Sequence, residues 1–260
     1  MSNIKVTILG SGGSFGVPVL SNRWGNCDSK NPKNIRTRPG AIIEKNGKTI
    51  LIDANPDLRQ QLIANKITSV NSVLFTHAHA DHTHGINDLR AINLSNGHRL
   101  PVFADQKTKI SLLNAFEYIF KSKNMAQYPP ICEIIEYDAG KTYQIDGFKI
   151  DVIKQNHGNM DSLGYVIDDK IAYNLDVKFF YDETYLDKIK EIECLIIGCL
   201  RYEEHPAHAD YEQILKWIEY VKPKVTYLSH MTALIDYVTE YEKLSKMNIF
   251  PSYDGCVINL

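Results

Sequence analysis

Apolar residues recur along this chain in short period-two runs, set off by turn residues and interleaved with stretches of helical spacing. Residues 4–9 alternate as a strand. Residues 41–44 and 49–53 read as two more, joined at Asn46-Gly47, a strong hairpin signal. Asn55-Pro56-Asp57 opens a helix to about Asn65, with Leu58 and Leu62 on one side. A strand over 70–75 follows, then a helix over 86–94 with Ile86, Leu89 and Ile92 in phase, and a strand over 101–104. The spacing next predicts a helix over 107–120 with Ile110, Leu113 and Ile119 inward, and a polar loop over 122–130. Strands are predicted at 132–137, 148–154, 163–167 and 171–175, the last two joined by Asp168-Asp169. The remainder alternates helix and strand: helices at 179–189, 211–221 and 237–247, strands at 194–198, 225–228 and 256–258. Two strand-rich blocks, each followed by helices, predict two sheets packed face to face with helices outside, a four-layered αββα sandwich formed by one α/β domain over residues 1–260.

Composition narrows the partners. At 260 residues and 44% apolar the chain can bury one sizeable core. Twenty-nine basic against 31 acidic residues leave a net charge of −2, which gives no field to gather nucleic acid and no polybasic segment for a membrane. A small, mobile substrate fits best. The N-terminal run is too short and too charged for a signal sequence, and no apolar stretch is long enough to span a bilayer, so the expected location is cytoplasmic. The five cysteines are scattered and lack a C-x-x-C pair, so they read as small buried residues. Gly10-Ser11-Gly12-Gly13-Ser14-Phe15-Gly16 departs from a dinucleotide fingerprint, because its last glycine comes one position late and Pro18 blocks the helix. It reads as a tight turn approaching a site. Residues 21–40, with Trp24 and Cys27, form a long polar surface loop.

The chemistry concentrates in Thr76-His77-Ala78-His79-Ala80-Asp81-His82. Three of the nine histidines fall within six positions, directly behind the apolar run Val73-Leu74-Phe75. On a helix His77 and His79 would point nearly opposite ways; in an extended segment they share a side, so the backbone here is strand end, then loop. Imidazoles with one carboxylate suit zinc, manganese, iron or nickel rather than calcium or magnesium. Four donors start a two-metal site without filling it. His157, Asp176 and His230 each follow a predicted strand in the same way and are the candidates to complete it. His208, just before a predicted helix, is a candidate proton donor with Asp210 placed to orient it, or else an ordinary histidine at a helix start. Asp53 either supports a ligating imidazole or caps the turn at Asn55-Pro56. His84 is read as packed or supporting, and His205 and His98 as surface histidines.

With these residues the chain resembles the metallo-β-lactamase superfold, whose H-x-H-x-D-H motif stands as His77, His79, Asp81 and His82. Residues 8–13, Ile52-Asp53-Ala54, Asn156-His157, Asp176, Ser229-His230 and Tyr253-Asp254-Gly255 resemble its phosphodiesterase branch. Phosphoribosyl cyclic phosphate phosphodiesterases are nearest, with tRNA 3′-processing ribonucleases as cousins. The resemblance implies two divalent ions, zinc or manganese first among them. His77, His79 and His157 would hold one, and Asp81, His82 and His230 the other. Asp176 would bridge them, a hydroxide between the ions would be the nucleophile, and His208, with Asp81, would belong to the catalytic set. Two such ions less Asp81, Asp176 and one hydroxide leave about +1, a match for a small anionic phosphodiester. The expected function is therefore binuclear phosphodiester hydrolysis, cyclic esters included. A tRNA 3′-end nuclease, which needs a basic arm that this sequence does not offer, and a thioesterase or lactonase are the alternatives. The resembling enzymes are commonly dimers, which leaves a homodimer open. They often carry a structural zinc on three cysteines and a histidine, but here Cys27 stands alone and Ala233 takes the histidine's place, so no structural zinc is expected.

Overall fold

Alternation along the first strand turns Ile4, Val6 and Ile8 towards one side, and the computed structural model, which describes residues 3–122 and 127–260, packs all three between two sheets. The first half of the chain supplies β1 (Ile4–Gly10), β2 (Gly40–Lys45), β3 (Lys48–Ile52), α1 (Leu58–Ala64), β4 (Ser72–Leu74), α2 (Ala80–Thr83), α3 (Leu89–Asn96), β5 (Leu100–Ala104), α4 (Gln106–Ala115), α5 (Glu117–Phe120) and β6 (Cys132–Glu136). The second half supplies β7 (Thr142–Ile145), β8 (Phe148–His157), β9 (Met160–Ile167), β10 (Ile171–Asn174), β11 (Phe179–Phe180), α6 (Tyr185–Lys188), β12 (Cys194–Gly198), α7 (Tyr211–Val221), β13 (Val225–Ser229), α8 (Tyr237–Leu244), β14 (Ile249–Pro251) and β15 (Cys256–Asn259). Among the described residues no helix is long and apolar enough to cross a membrane.

One sheet runs β15-β1-β2-β3-β4-β5-β6; the other runs β11-β8-β9-β10-β12-β13-β14, with β7 also on β8. The last strand thus returns to the first sheet and ties the two halves together. Ile50, Phe148, Ile150, Val152, Tyr165 and Tyr173 fill the space between the sheets. Leu58, Leu89 and Leu112 cover the outer face of one sheet, and Tyr185, Ile214 and Trp217 that of the other. This is the αββα sandwich that the strand pattern predicts.

Both short hairpins form as predicted. Asn46, Gly47, Asp168 and Asp169 all take positive φ, as a two-residue primed turn requires. Three expectations are corrected. The helix expected over 107–120 breaks at Phe116 into α4 and α5, and its phase is set by Asp105, whose carboxylate caps Thr108 N at 2.9 Å. Thr108 and Leu112 therefore face inward, and Ile110 is 52% exposed. The helix expected over 179–189 is mostly absent: Phe179 and Phe180 pair with Asn156 and Gln155 as β11, Asp182 folds back on Thr184, and helical turns begin only at Tyr185. β7 and β14 had no sequence prediction. The middle of the loop expected over 122–130 lies outside the described residues.

Strands β3 and β4 run parallel, as do β10, β12 and β13, so their C-terminal ends open on one rim. Ligands gather at such a rim in open α/β sheets. Close strand contact beneath it depends on Gly198, where an added Cβ would lie 1.8 Å from Leu175 O, next to Asp176. Gly198→Ala is expected to destabilise the fold by about 1–3 kcal/mol, lowering Tm by roughly 2–12 °C. An unchanged melting curve would contradict this account of the rim.

Candidate metal centre

Each donor is delivered by a strand end. His77 and His79 follow β4, His157 is the last residue of β8, Asp176 follows β10, and His230 follows β13. Asp81 and His82 come from α2, the single turn that the loop makes after His79. The backbone is held in unusual conformations here: Asp53 and His230 have φ of 62° and 56°. Left-handed backbone at a non-glycine residue costs roughly 1–2 kcal/mol, so tertiary contacts must impose it. For His230 they include Gly13 N bonded to Met231 O and Met231 N bonded to Ser11 O. Gly13 packs closely here: a Cβ would sit 3.2 Å from Leu200 Cδ1 and in ordinary contact, 3.6 Å, with His230 Nδ1.

The side chains converge. His77 Nε2 is 2.9 Å and His157 Nε2 3.3 Å from His79 Nδ1. His82 Nε2 and His230 Nε2 each stand 3.6 Å from Asp81 Oδ2. Between these two triads lies Asp176, with Oδ2 3.3 Å from His82 Nε2 and Oδ1 3.4 Å from His230 Nε2 and 3.7 Å from His157 Nε2. His208 Nε2 is also 3.7 Å from Asp176 Oδ1, and its ring packs 4.7 Å from His157 and 5.3 Å from His230. All seven expected ligands and His208 are thus gathered in one place.

These atoms fit divalent ions better than they fit one another. His82 Nε2, Asp176 Oδ2 and both ring nitrogens of His230 are buried without a hydrogen-bond partner, an arrangement that folded proteins rarely leave unexplained. Donor atoms about 2.0–2.1 Å from a tetrahedral zinc stand roughly 3.3 Å apart, inside the spread of 2.9 to 3.7 Å found here. The groups within reach of one another include His77 with His79 and His157, and Asp81 with His82 and His230.

The remaining ring nitrogens are fixed from behind. His82 Nδ1 donates to Asp53 Oδ2 at 2.7 Å, and His157 Nδ1 to Ala207 O at 2.8 Å. Asp53 also accepts from Thr76 N and Thr76 Oγ1, so it supports the ligand loop, while the turn at Asn55 is capped by Asn55 itself through Asp57 N. Outward-facing donors with inward-facing Nε2 atoms are the usual setting of a ligating histidine. Burial alone favours neutral forms, yet Asp176, Asp53 and Asp81 hold the His82 ring protonated up to about 10. Burial likewise opposes charge on Asp176, but the His230 and His82 rings beside it keep its carboxylate ionised well below the usual range. His77, buried and beside other imidazoles, is held neutral. Two ionised carboxylates among crowded rings make a site that a cation completes.

Other sequence expectations separate here. Asp210 does not orient His208; it caps α7 by accepting from Gln213 N at 2.8 Å. His84 is exposed and packs edge-on to Phe116. His98 is exposed, whereas His205 stands half-buried with its ring 5.0 Å from that of His208. The loop over 21–40 is tied down: Cys27 packs with Val17 and Ala233, its Sγ is 3.3 Å from Ile235 O, and the buried Arg36 reaches Thr232 O and Asn34 Oδ1. All five cysteines are buried free thiols. Thr76 and Ala207, which hold the imidazoles, escaped the sequence reading, because a hydroxyl and a backbone carbonyl carry no spacing signal.

Comparison with known proteins agrees with this geometry. A family model described as a beta-lactamase superfamily domain matches residues 48–231. An octanoyltransferase of Porphyromonas gingivalis is 33% identical over 255 residues, covering 97% of this chain and 51% of that protein. A ribonuclease Z of Methanopyrus kandleri is 27% identical over 155 residues, 57% of this chain and 50% of that protein. The chain therefore spans about half the length of each of these two relatives. The crystal structure of a diphosphatase from the PhnP family superposes over 100% of this chain and 98% of that one, with a TM-score of 0.88 and 28% identity. Fold, donor set and a family match over most of its length agree: the chain belongs to the beta-lactamase superfamily.

Proposed function

We propose that this enzyme hydrolyses small anionic phosphodiesters, cyclic esters among them, at a two-metal centre. The observation that carries the reading is the Asp176 carboxylate, fully enclosed, with one oxygen turned to His82 and the other to His157 and His230. Such a group has no task in a site already filled by His77, His79 and His157. In this reading those three hold one ion, Asp81, His82 and His230 hold the other, and Asp176 spans both. Divalent ions bound there supply Lewis-acid polarisation of phosphoryl oxygens and a water acidic enough to act as nucleophile near neutral pH. Zinc and manganese both suit the donors.

The protein's own groups do the rest. Asp53 and Ala207 O orient His82 and His157, and Asp176 and Asp81 remain ionised. His208 stands at the edge of the cluster as proton donor to the leaving oxygen. Burial pushes its free ring down to about 3, against the pull of Asp176 and with His230 and His157 adding to the effect. A phosphodiester anion beside Nε2 would add negative charge, which favours the protonated ring.

A second reading, thioester hydrolysis, is favoured by the relative named for octanoyl transfer, half of whose length this chain matches. Assays with bis(p-nitrophenyl) phosphate, glycerol 1,2-cyclic phosphate, an octanoyl thioester and a nitrocefin-type β-lactam decide between the two. Turnover of the phosphodiesters is expected. Turnover of the thioester alone would replace the first reading by the second.

Two variants test the roles. Asp53→Ala is expected to weaken metal binding about 10–100-fold in a chelator competition, because it frees the His82 ring; unchanged affinity would remove Asp53 from the site. His208→Ala is expected to keep the metal content and to lose about 10²–10⁴ in kcat on glycerol 1,2-cyclic phosphate, whose leaving alkoxide needs a proton. The loss on bis(p-nitrophenyl) phosphate should be much smaller. Equal losses on both would point to a binding role, and loss of metal would make His208 a ligand.

A further inference from the structure

The imidazole proposed as proton donor is carried by an irregular connection. Between the end of β12 at Gly198 and the start of α7 at Tyr211 the chain forms neither helix nor strand. A stretch of that length without regular structure is uncommon inside a packed domain, and when ordered it serves a site. His208 lies near its C-terminal end. Backbone bonds hold its neighbours: Ala209 N donates to Val177 O at 2.8 Å, and Ala207 O accepts from His157. The body of the connection is held otherwise.

Lys178 Nζ donates to His205 O at 2.9 Å, and a further, buried hold comes from α8, remote in sequence. Glu240 is completely buried, and its two carboxylate oxygens accept separately from two tyrosines: Oε1 from Tyr202 Oη at 2.5 Å and Oε2 from Tyr211 Oη at 2.5 Å. Tyr202 belongs to the connection and Tyr211 is the first residue of α7, so the two contacts bracket His208. The tyrosine rings pack 5.1 Å apart, and the Lys243 ammonium lies 4.3 Å over the Tyr211 ring. Burial, with Glu240 beside them, pushes both hydroxyls up, so both remain donors. A buried carboxylate costs several kcal/mol to desolvate and is tolerated only when its oxygens are satisfied. This one spends its bonds on holding a loop.

The far end of α8 is anchored as well. Asp236 caps the helix through Thr239 N and accepts from Asp28 N and from Asn34 Nδ2 of the loop over 21–40. The helix is therefore fixed at its first turn, and Glu240, one turn further on, transmits that fixed position to the connection. Thr232 adds a second tie, donating through its backbone N and its hydroxyl to Leu200 O.

We propose that Glu240 is a positioning residue for His208: by gripping Tyr202 and Tyr211 on either side, it sets the distance of the imidazole from the reacting phosphoryl group. It touches no substrate. Its effect is to spare the ring a search for its working position, an effect that can be large because a displacement of about 1 Å can cost on the order of 10²-fold in rate. The inference rests on the reading of His208 as the proton donor.

Two substitutions separate positioning from general stability. Glu240→Leu removes both grips and the buried charge together, which a packed interior often tolerates. Glu240→Gln keeps both links, its amide accepting from one tyrosine and donating to the other. With both metals retained, Glu240→Leu is expected to lower kcat on glycerol 1,2-cyclic phosphate by about 10–10²-fold, to leave KM little changed, and to leave bis(p-nitrophenyl) phosphate turnover nearly untouched. Glu240→Gln should recover most of that rate. Adding Glu240→Leu to His208→Ala should cost nothing further, since residues that act as one unit are not additive. Full additivity, or equal losses on both substrates, would overturn the proposal. A crystal structure of Glu240→Leu supplies a check free of any assay: His208 Nε2 is expected to leave its position 3.7 Å from Asp176 Oδ1 or to split into two, and an unmoved ring would contradict the inference. If His208→Ala itself shows no dependence on the leaving group, the donor reading fails, whereas failure of the coupling alone removes Glu240 and leaves His208 in place.

Discussion

The enclosed carboxylate of Asp176 is the constraint on which the rest of this structure depends. Four imidazoles surround it, and solvent does not reach the oxygen facing His82. In a low-dielectric interior such a charge is tolerated only if positive charge comes to meet it. The rim answers with protons on the rings or with metal ions in their place, and the second outcome satisfies the nitrogens that otherwise lack partners. Much of the surrounding architecture follows from holding that arrangement still. Parallel strands end together, Asp53 and His230 accept left-handed backbone, and Gly198 lets neighbouring backbone approach closer than a Cβ would allow.

Much of the centre was legible in the sequence because its signals are local. Two residues apart in an extended segment is a geometric statement, and it places His77 and His79 on one side. His157, Asp176 and His230 could be nominated because each stands at or just after an apolar run, and strand ends in such a fold share a rim. The turns at Asn46-Gly47 and Asp168-Asp169 were readable for a related reason, since few residues tolerate the positive φ found there.

What could not be read is what depends on partners far along the chain. Glu240 meets Tyr202 across 38 residues and Tyr211 across 29, and nothing at those spacings marks a pair. Phe179 and Phe180 have helix-compatible neighbours but find open edge positions on β8, so pairing overrides propensity. Phe116 interrupts a helix whose periodicity alone would continue, and Asp105 shifts the phase that decides which residues face inward. Asp210 has the position of an orienting carboxylate and instead caps a helix, a task with the same local signature. Family membership explains the fold and the placing of the donor set at the rim.

The central claim, that two ions share Asp176, is tested most directly by counting metals. Protein loaded with zinc or manganese and freed of excess, measured by elemental analysis alongside Asp176→Ala, should show about two ions per chain in the native protein, in keeping with a two-metal site. The variant should hold fewer and should bind its remaining metal more weakly. A fully active native protein holding a single ion, or a variant that keeps both, would contradict the account.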